Sequence, residues 1–249
     1  MSLESFIPDP GESTVSLVVA QDAQPDALQR MFEDLFADQS VGVEAVSVAG
    51  DGGQVVLVRD GETVATSPLR ELQDAVLLVN SDLYSTGTVG IDDLTVPDVL
   101  AELTDVPFTL RGYPESDKEK LLLVVISRYV EQRAWRAGTG VHRASFQRLS
   151  RIDDERGTRR VYEQLAETDL DVHVYGVPDW DSTDSLGVTA HGGHSPDYRH
   201  SWFVVHRPDG DGEPVALVAY EVDSGRWRGV WTRDAERVAA IDDYIAAEL

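Results

Sequence analysis

Apolar residues recur along this chain with two periods. TVSLVVA, residues 14–20, and VGVEAVSVA, 41–49, are β-branched or alternating and predict strands. In PDALQRMFEDLFAD, 25–38, Leu28, Met31, Phe32, Leu35 and Phe36 fall on one face of a helix that Pro25 opens. QVVLVRDGETVATS, 54–67, sets Asp60-Gly61 between two apolar runs and predicts a hairpin. A helix follows over 67–80 behind Ser67 and Pro68, then a loop, a short helix from about Pro97 to Leu103 and a strand around Phe108. Ser116, with Glu119 at the capping-box position, starts a helix that runs to about Ala137 and stops at Gly138. Its first half, around LLLVVI, is apolar on nearly every face, so that half is predicted to be buried.

The remaining pattern is strand VHRASFQRL, 141–149; a helix capped by Asp153 or Asp154 and reaching about Glu167; and strand LDVHVYGVP, 170–178. A long Gly/Ser/Asp/His loop, 179–198, comes next. YRHSWFVVHRP, 198–208, and PVALVAYEVD, 214–223, read as a hairpin, GRWRGVWT, 225–232, as a further strand, and a helix capped at Asp234 closes the sequence. The class is α/β (mixed α+β), with mixed sheets flanked by helices, and the C-terminal half is expected to be a small curved antiparallel sheet with helices. Two regions are expected, 1–112 and 113–249.

Charge changes the picture. The chain has 249 residues with 45 Asp+Glu against 21 Lys+Arg, a net of −24, and its only lysines are Lys118 and Lys120. An Asp-rich, Lys-poor surface stays hydrated in molar salt, where the screening length falls to about 3 Å. A halophilic, haloarchaeal cytosolic protein is therefore expected, and nucleic acid is not an expected partner. With 42% hydrophobic residues the chain is foldable despite its charge. The absence of cysteine excludes a disulfide framework, a thiolate metal site and a cysteine nucleophile. MSLESFIPDPGES has neither a basic nor an apolar signal segment, and LLLVVI is far too short to span a bilayer. Cytoplasmic location is the expectation.

Against that acidity, residues 111–160 carry 12 Lys+Arg and 7 Asp+Glu, a net of +5, leaving −29 on the remainder. The knot is densest in and just before LSRIDDERGTRR, 149–160. Arg148, Arg151, Arg156, Arg159 and Arg160 could dock an acidic partner. They could equally pair with Asp153, Asp154, Glu155 and neighbours one helical turn away. A planar ligand could sit among Phe146, Tyr175, Trp202 and Trp227, although aromatic packing of a sheet is the commoner outcome. All six histidines follow residue 141. In HGGHSPDYRH, His191, His194, His200 and Asp197 are of zinc-binding type, but no HExxH frame supports them, and they are expected to be solvated loop residues. No phosphate-cradling glycine motif and no GxSxG is present. Expected catalytic residues, metal and cofactors are none.

KLLLVVISRYVEQRA, FQRLSRIDDERGTRRVYEQLAETDLDVHVYGVPDW, SWFVVHRPDGDGEPVALVAYEV and GRWRGVWTRDAERVAAIDDYI together resemble the DICT sensory domain of diguanylate cyclases and two-component systems, over roughly 113–249. The resemblance implies signal sensing without catalysis, and carries no ligand with it. No kinase, cyclase or helix-turn-helix segment is apparent, so output through a signalling protein partner is expected. A homodimer through the helix near 117–137 or the closing helix is the accompanying expectation. A chromophore- or small-molecule-binding sensor and a transcriptional regulator are the alternatives.

Overall fold

The computed structural model describes residues 2–9, 14–21, 42–47, 53–72, 74–75, 91–93, 95–111, 117–154, 156–180 and 186–249. Strands β1 (Val15–Gln21), β2 (Gly42–Ser47), β3 (Gln54–Arg59) and β4 (Glu62–Pro68) form a sheet in the order β2-β1-β3-β4. β1 and β2 run parallel, and the other pairs are antiparallel. The expected hairpin is β3–β4, and its turn residues Asp60 and Gly61 have φ of 54° and 81°. Two successive positive φ values are what a type I′ turn requires, which explains the Asp-Gly pair. The helix expected over 25–38 lies outside the described residues.

Helix α1 (Asp98–Ala101) and strand β5 (Phe108–Arg111) lead to α2 (Asp117–Ala137). Gly138, at φ 67°, ends α2 and donates to Ala134 O at 2.9 Å. Then follow β6 (Thr139–Arg148), α3 (Arg151–Asp154), α4 (Arg156–Ala166) and β7 (Asp169–Val177). β8 (Thr189–Gly192), α5 (Pro196–His200), β9 (Ser201–Arg207), β10 (Val215–Asp223), β11 (Arg226–Thr232) and α6 (Ala235–Glu248) complete the order. The second sheet has seven strands, β5-β11-β10-β9-β6-β7-β8. It is antiparallel as far as β6, but β7 and β8 join in parallel. The sheet is therefore mixed, with an antiparallel majority, in keeping with the expected mixed sheets flanked by helices. The β6–α3/α4–β7 crossover forces a parallel pair, because the chain must return to the same end of the sheet.

Two expectations are corrected. Asp153 and Asp154 do not cap the arginine helix; they lie inside α3, where their own N–H groups donate to Ser150 O at 3.0 and 3.1 Å. The expected loop 179–198 contains β8 and the start of α5. β8 is four residues, TAHG, at a sheet edge with mostly exposed side chains, so it shows no apolar alternation to read.

α2 is the central beam. Residues 122–126 are all buried. They share a core with Val15, Leu17 and Leu57 of the first sheet and with Leu217, Trp227 and Trp231 of the second. The later half of α2 packs with α4 over β6 and β7. The far face of the seven-stranded sheet is covered by α6 and by the 3-10 turn Leu3–Phe6. β5 and this turn both precede residue 112, so the first region contributes an edge strand and a cover to the C-terminal layer.

Candidate functional site

The ladder between β6 and β9 stops halfway along. Residues 141–144 pair with 204–207. Beyond Ala144, side chains replace backbone bonds. Ser145 Oγ accepts from Phe203 N at 2.8 Å and donates to Ser201 O at 3.3 Å, and Gln147 Nε2 donates to the same carbonyl at 2.8 Å. On its other edge β6 bulges against β7 between Ser145 and Arg148. Gln147 sits in this bulge at φ 51°, a left-handed conformation costing a non-glycine residue about 1–2 kcal/mol. Bulges re-aim side chains and are common beside sites. Gly176 of β7 makes room for this one, since a Cβ there would lie 3.0 Å from Leu149 N.

A cavity of about 40 Å³ occupies the split. That is space for about three water molecules at ~10–15 Å³ each. α2 contributes Ser127, Arg128 and Glu131, α4 contributes Thr158 and Tyr162, and the strands contribute Phe146, Gln147 and Trp202. Arg128 Nη1 pairs with Glu131 Oε2 at 2.6 Å, and its Nη2 donates to Thr158 Oγ1 at 3.0 Å. Trp202 Nε1 donates to Ser127 Oγ at 3.0 Å. The buried Tyr162 hydroxyl has no partner at hydrogen-bonding geometry, although the Glu131 carboxylate lies near enough to act on it. Burial, with the Glu131 charge, holds its pKa well above the usual phenol value.

Outside the split lies a cleft of about 520 Å³ bounded by Arg148, Val177, Arg199, His200, Glu221 and Trp227. Gln147 and Arg151 line both spaces, and Arg151 Nη1 donates to Gln147 Oε1 between them. Glu221 is held by His200 Nδ1 at 2.8 Å and by Gly225 N at 3.0 Å. Arg199 Nε donates to His194 O at 3.0 Å. Arg148 Nε donates to Asp179 at 2.9 Å, which also accepts from Ser150 N and Oγ, each at 3.0 Å. Burial opposes the Asp179 charge, but these bonds outweigh it and hold its carboxyl below the usual range. The two spaces meet at the carboxyl ends of β6 and β7, where one neighbour of β6 is parallel and the other antiparallel. Carboxyl ends of strands are where open α/β sheets receive ligands.

Residues 98–221, which hold most of this constellation, match the family model described as "DICT: Sensory domain in DIguanylate Cyclases and Two-component system". Those residues belong to the DICT sensory-domain family. A sensory role in signalling follows for the chain. The match starts at α1 and ends within β10, so Trp227 is outside it. No curated protein matches the chain. In structure, the chain is similar to a polyphosphate kinase from Porphyromonas gingivalis at 13% identity and a TM-score of 0.32. That alignment covers 98% of this chain and 47% of the kinase chain, and a likeness this loose supports no inference about function.

The four aromatics named from sequence separate. Phe146 and Trp202 wall the cavity, and Trp227, beyond the matched segment, lines the cleft. Tyr175 lies across the sheet, stacked on His191 at 4.4 Å and bonded by Arg143 Nη1 at 2.8 Å. The five arginines separate too. Arg148 and Arg151 face the cleft, Arg159 donates to Asp153 and to Glu163, and Arg156 and Arg160 are exposed on α4. Gln147, Tyr162, Glu131 and Arg199 were not foreseen, and His200 was weighed only as a metal ligand. No signal marks Gln147 in the sequence, because its strand already carries His142, Arg143 and Ser145.

Two histidines expected to be solvated loop residues lie in regular elements and hold partners. His191 is on β8, its Nε2 2.9 Å from His173 Nδ1, and His173 Nε2 lies 2.9 Å from Asp171. His200 is bound to Glu221. Among the described residues no group of three or more His, Asp or Glu is arranged to hold a metal. His142 and His206 are cross-strand partners and both are buried. Neither His142 nitrogen has a hydrogen-bond partner, and burial beside His206 pushes its pKa down to about 3. Burial lowers His206 to about 4. Among the described residues no helix is long and apolar enough to cross a membrane.

Proposed function

We propose that the chain is a non-catalytic input module. A small molecule enters at the β6/β9 split, and the response passes to a signalling partner through the arginine-bearing helices α3 and α4. The observation that carries this is the junction of cavity and cleft at Gln147 and Arg151. Arg151 is the first residue of α3, so a ligand that draws its guanidinium from Gln147 acts on the helix that leads into α4, which displays Arg156, Arg159 and Arg160. Differential binding to two positions of one element is the condition for a ligand to shift a signalling equilibrium.

Native mass spectrometry of protein purified from its own host tests the input. An additional mass, released on denaturation and diminished in Trp202→Ala, is expected. Bare protein in every preparation overturns the small-molecule input. Reversing Arg156, Arg159 and Arg160 to Glu tests the output. Cross-linked partner should be lost while the released mass is kept, and unchanged cross-linking overturns docking on these arginines.

A further inference from the structure

We infer that the cleft takes a small organic anion, carboxylate- or phosphate-bearing, whose neutral polar end reaches toward Tyr162, an inference that rests on the ligand-input reading of the same site. Three observations converge. The first is charge. In a chain of net −24, this concavity is lined by Arg148, Arg151, Arg199 and His200 with one carboxylate, Glu221, and Arg148 is also paired with Asp179. Glu221 is already engaged by His200 and by Gly225 N. Arg199 is exposed and its only partners among the described residues are neutral groups of His194, the carbonyl at 3.0 Å from Nε and ring Nδ1 at 3.4 Å from Nη2, so its charge is met by no carboxylate and can turn to the oxygens of a carboxylate or phosphate.

The second is size. The cleft, at about 520 Å³, lies within the range of about 300–1,000 Å³ usual for small-molecule sites. The inner cavity, at about 40 Å³, admits only a few atoms. The ligand body therefore stays in the cleft and only a terminal group passes Arg151. The third is the unsatisfied Tyr162 hydroxyl, buried on the cavity wall. A buried hydroxyl without a partner is costly, and a hydroxyl or amide arriving from the cleft would satisfy it. Anionic head and neutral hydrogen-bonding tail are thus both specified by the walls.

Calorimetric titration at matched ionic strength tests this, with inorganic phosphate and glycerol 3-phosphate as probes. Phosphate should bind saturably, and Arg199→Ala should weaken it by tenfold or more. Glycerol 3-phosphate should bind at least tenfold more tightly than phosphate, and Tyr162→Phe should remove that gain while leaving phosphate binding unchanged. Equal binding of phosphate to wild type and Arg199→Ala overturns the anion site, and a gain retained in Tyr162→Phe overturns the tail assignment. A neutral or cationic molecule released from host-purified protein, with no phosphate binding, overturns the anion class alone. Bare host-purified protein with no response to either probe overturns the input reading as well.

Discussion

The two faces of the seven-stranded sheet both bury polar side chains, and they treat them differently. On the face under α6, Arg143 Nε donates to Asp242 at 2.6 Å and Nη1 to Tyr175 Oη at 2.8 Å, while Arg207 reaches the other Asp242 oxygen at 3.2 Å. Asp197 accepts from Leu3 N at 3.3 Å and from Tyr244 Oη at 2.8 Å, tying the first turn and the closing helix to α5. On the face under α2, Arg128 and Glu131 are paired, but the Tyr162 hydroxyl, both His142 nitrogens and His206 Nε2 have no hydrogen-bond partner. A completed buried network fixes one structure, whereas an incomplete one leaves capacity for a ligand. On the proposed reading, the difference separates the part of this fold that holds it together from the part available to sense.

Breaking the completed face should have the largest effect. Asp242→Ala leaves Arg143 charged with most of its side chain buried. Although burial disfavours its charge, Asp242 and Tyr175 outweigh that and hold its pKa above the usual arginine value. Stranding one member of such a pair costs about 3–5 kcal/mol. Urea unfolding should show that loss, and adding Arg143→Met should recover much of it. A loss below about 1 kcal/mol would mean that the α6 face is not held by this network.

Acid should act on the other face. The folded pKa values of His142 and His206, about 3 and about 4, lie below the ordinary 6.5. Between those limits the unfolded chain binds more protons than the folded one. Stability therefore falls as pH drops below about 6.5 and is unaffected by these groups above about pH 7. Each histidine contributes a slope of up to about 1.4 kcal/mol per pH unit inside the window. Thermal unfolding from pH 7 to pH 5 should be visibly flatter in His142→Phe. An identical slope in the variant would show that the acid response comes from elsewhere.

A smaller effect is expected from Gly176→Ala, which pushes a methyl against the Leu149 nitrogen and the Arg148 backbone at the bulge. Such crowding costs about 1–3 kcal/mol. Chemical unfolding would measure it, and the same shift should move Gln147 and weaken any ligand bound in the cleft. A neutral Gly176→Ala would mean that the bulge is soft and does not set the geometry of the site.

These regions were unequally legible in the sequence. Residues 60–61 announced their turn because only certain residue types tolerate two positive φ values in succession. The burial of α2 at 122–126 was legible from six apolar residues in a row, and Asp234 from its place before an amphipathic run; it does accept from Arg237 N at 2.8 Å. The site was not legible in the same way. Simple alternation puts Gln147 on the face of Arg143 and Ser145, and no periodicity marks a bulge of one residue. Arg199 and His200 read as loop residues because the contacts that place them, to His194 and Glu221, depend on tertiary neighbours. The arginine knot was visible as charge, but its division into cleft, ion-paired and exposed members depends on where α3 starts.

The smallest stability change expected is also the most discriminating. Tyr162→Phe removes one oxygen from a side chain that is otherwise fully packed, edge-on to Phe146 at 5.2 Å. Were the hydroxyl satisfied inside the protein, its loss would cost about 1 kcal/mol or more. Because it has no partner, the variant should unfold within about 0.5 kcal/mol of wild type, or slightly above it, since an unmet desolvation cost disappears with the oxygen. Set beside Asp242→Ala, the same kind of deletion then gives opposite results on the two faces. A clear destabilisation by Tyr162→Phe would place the hydroxyl on the nearby Glu131 carboxylate, and the α2 face would be as closed as the other. An unchanged midpoint together with weakened ligand binding would assign the hydroxyl to recognition and not to folding.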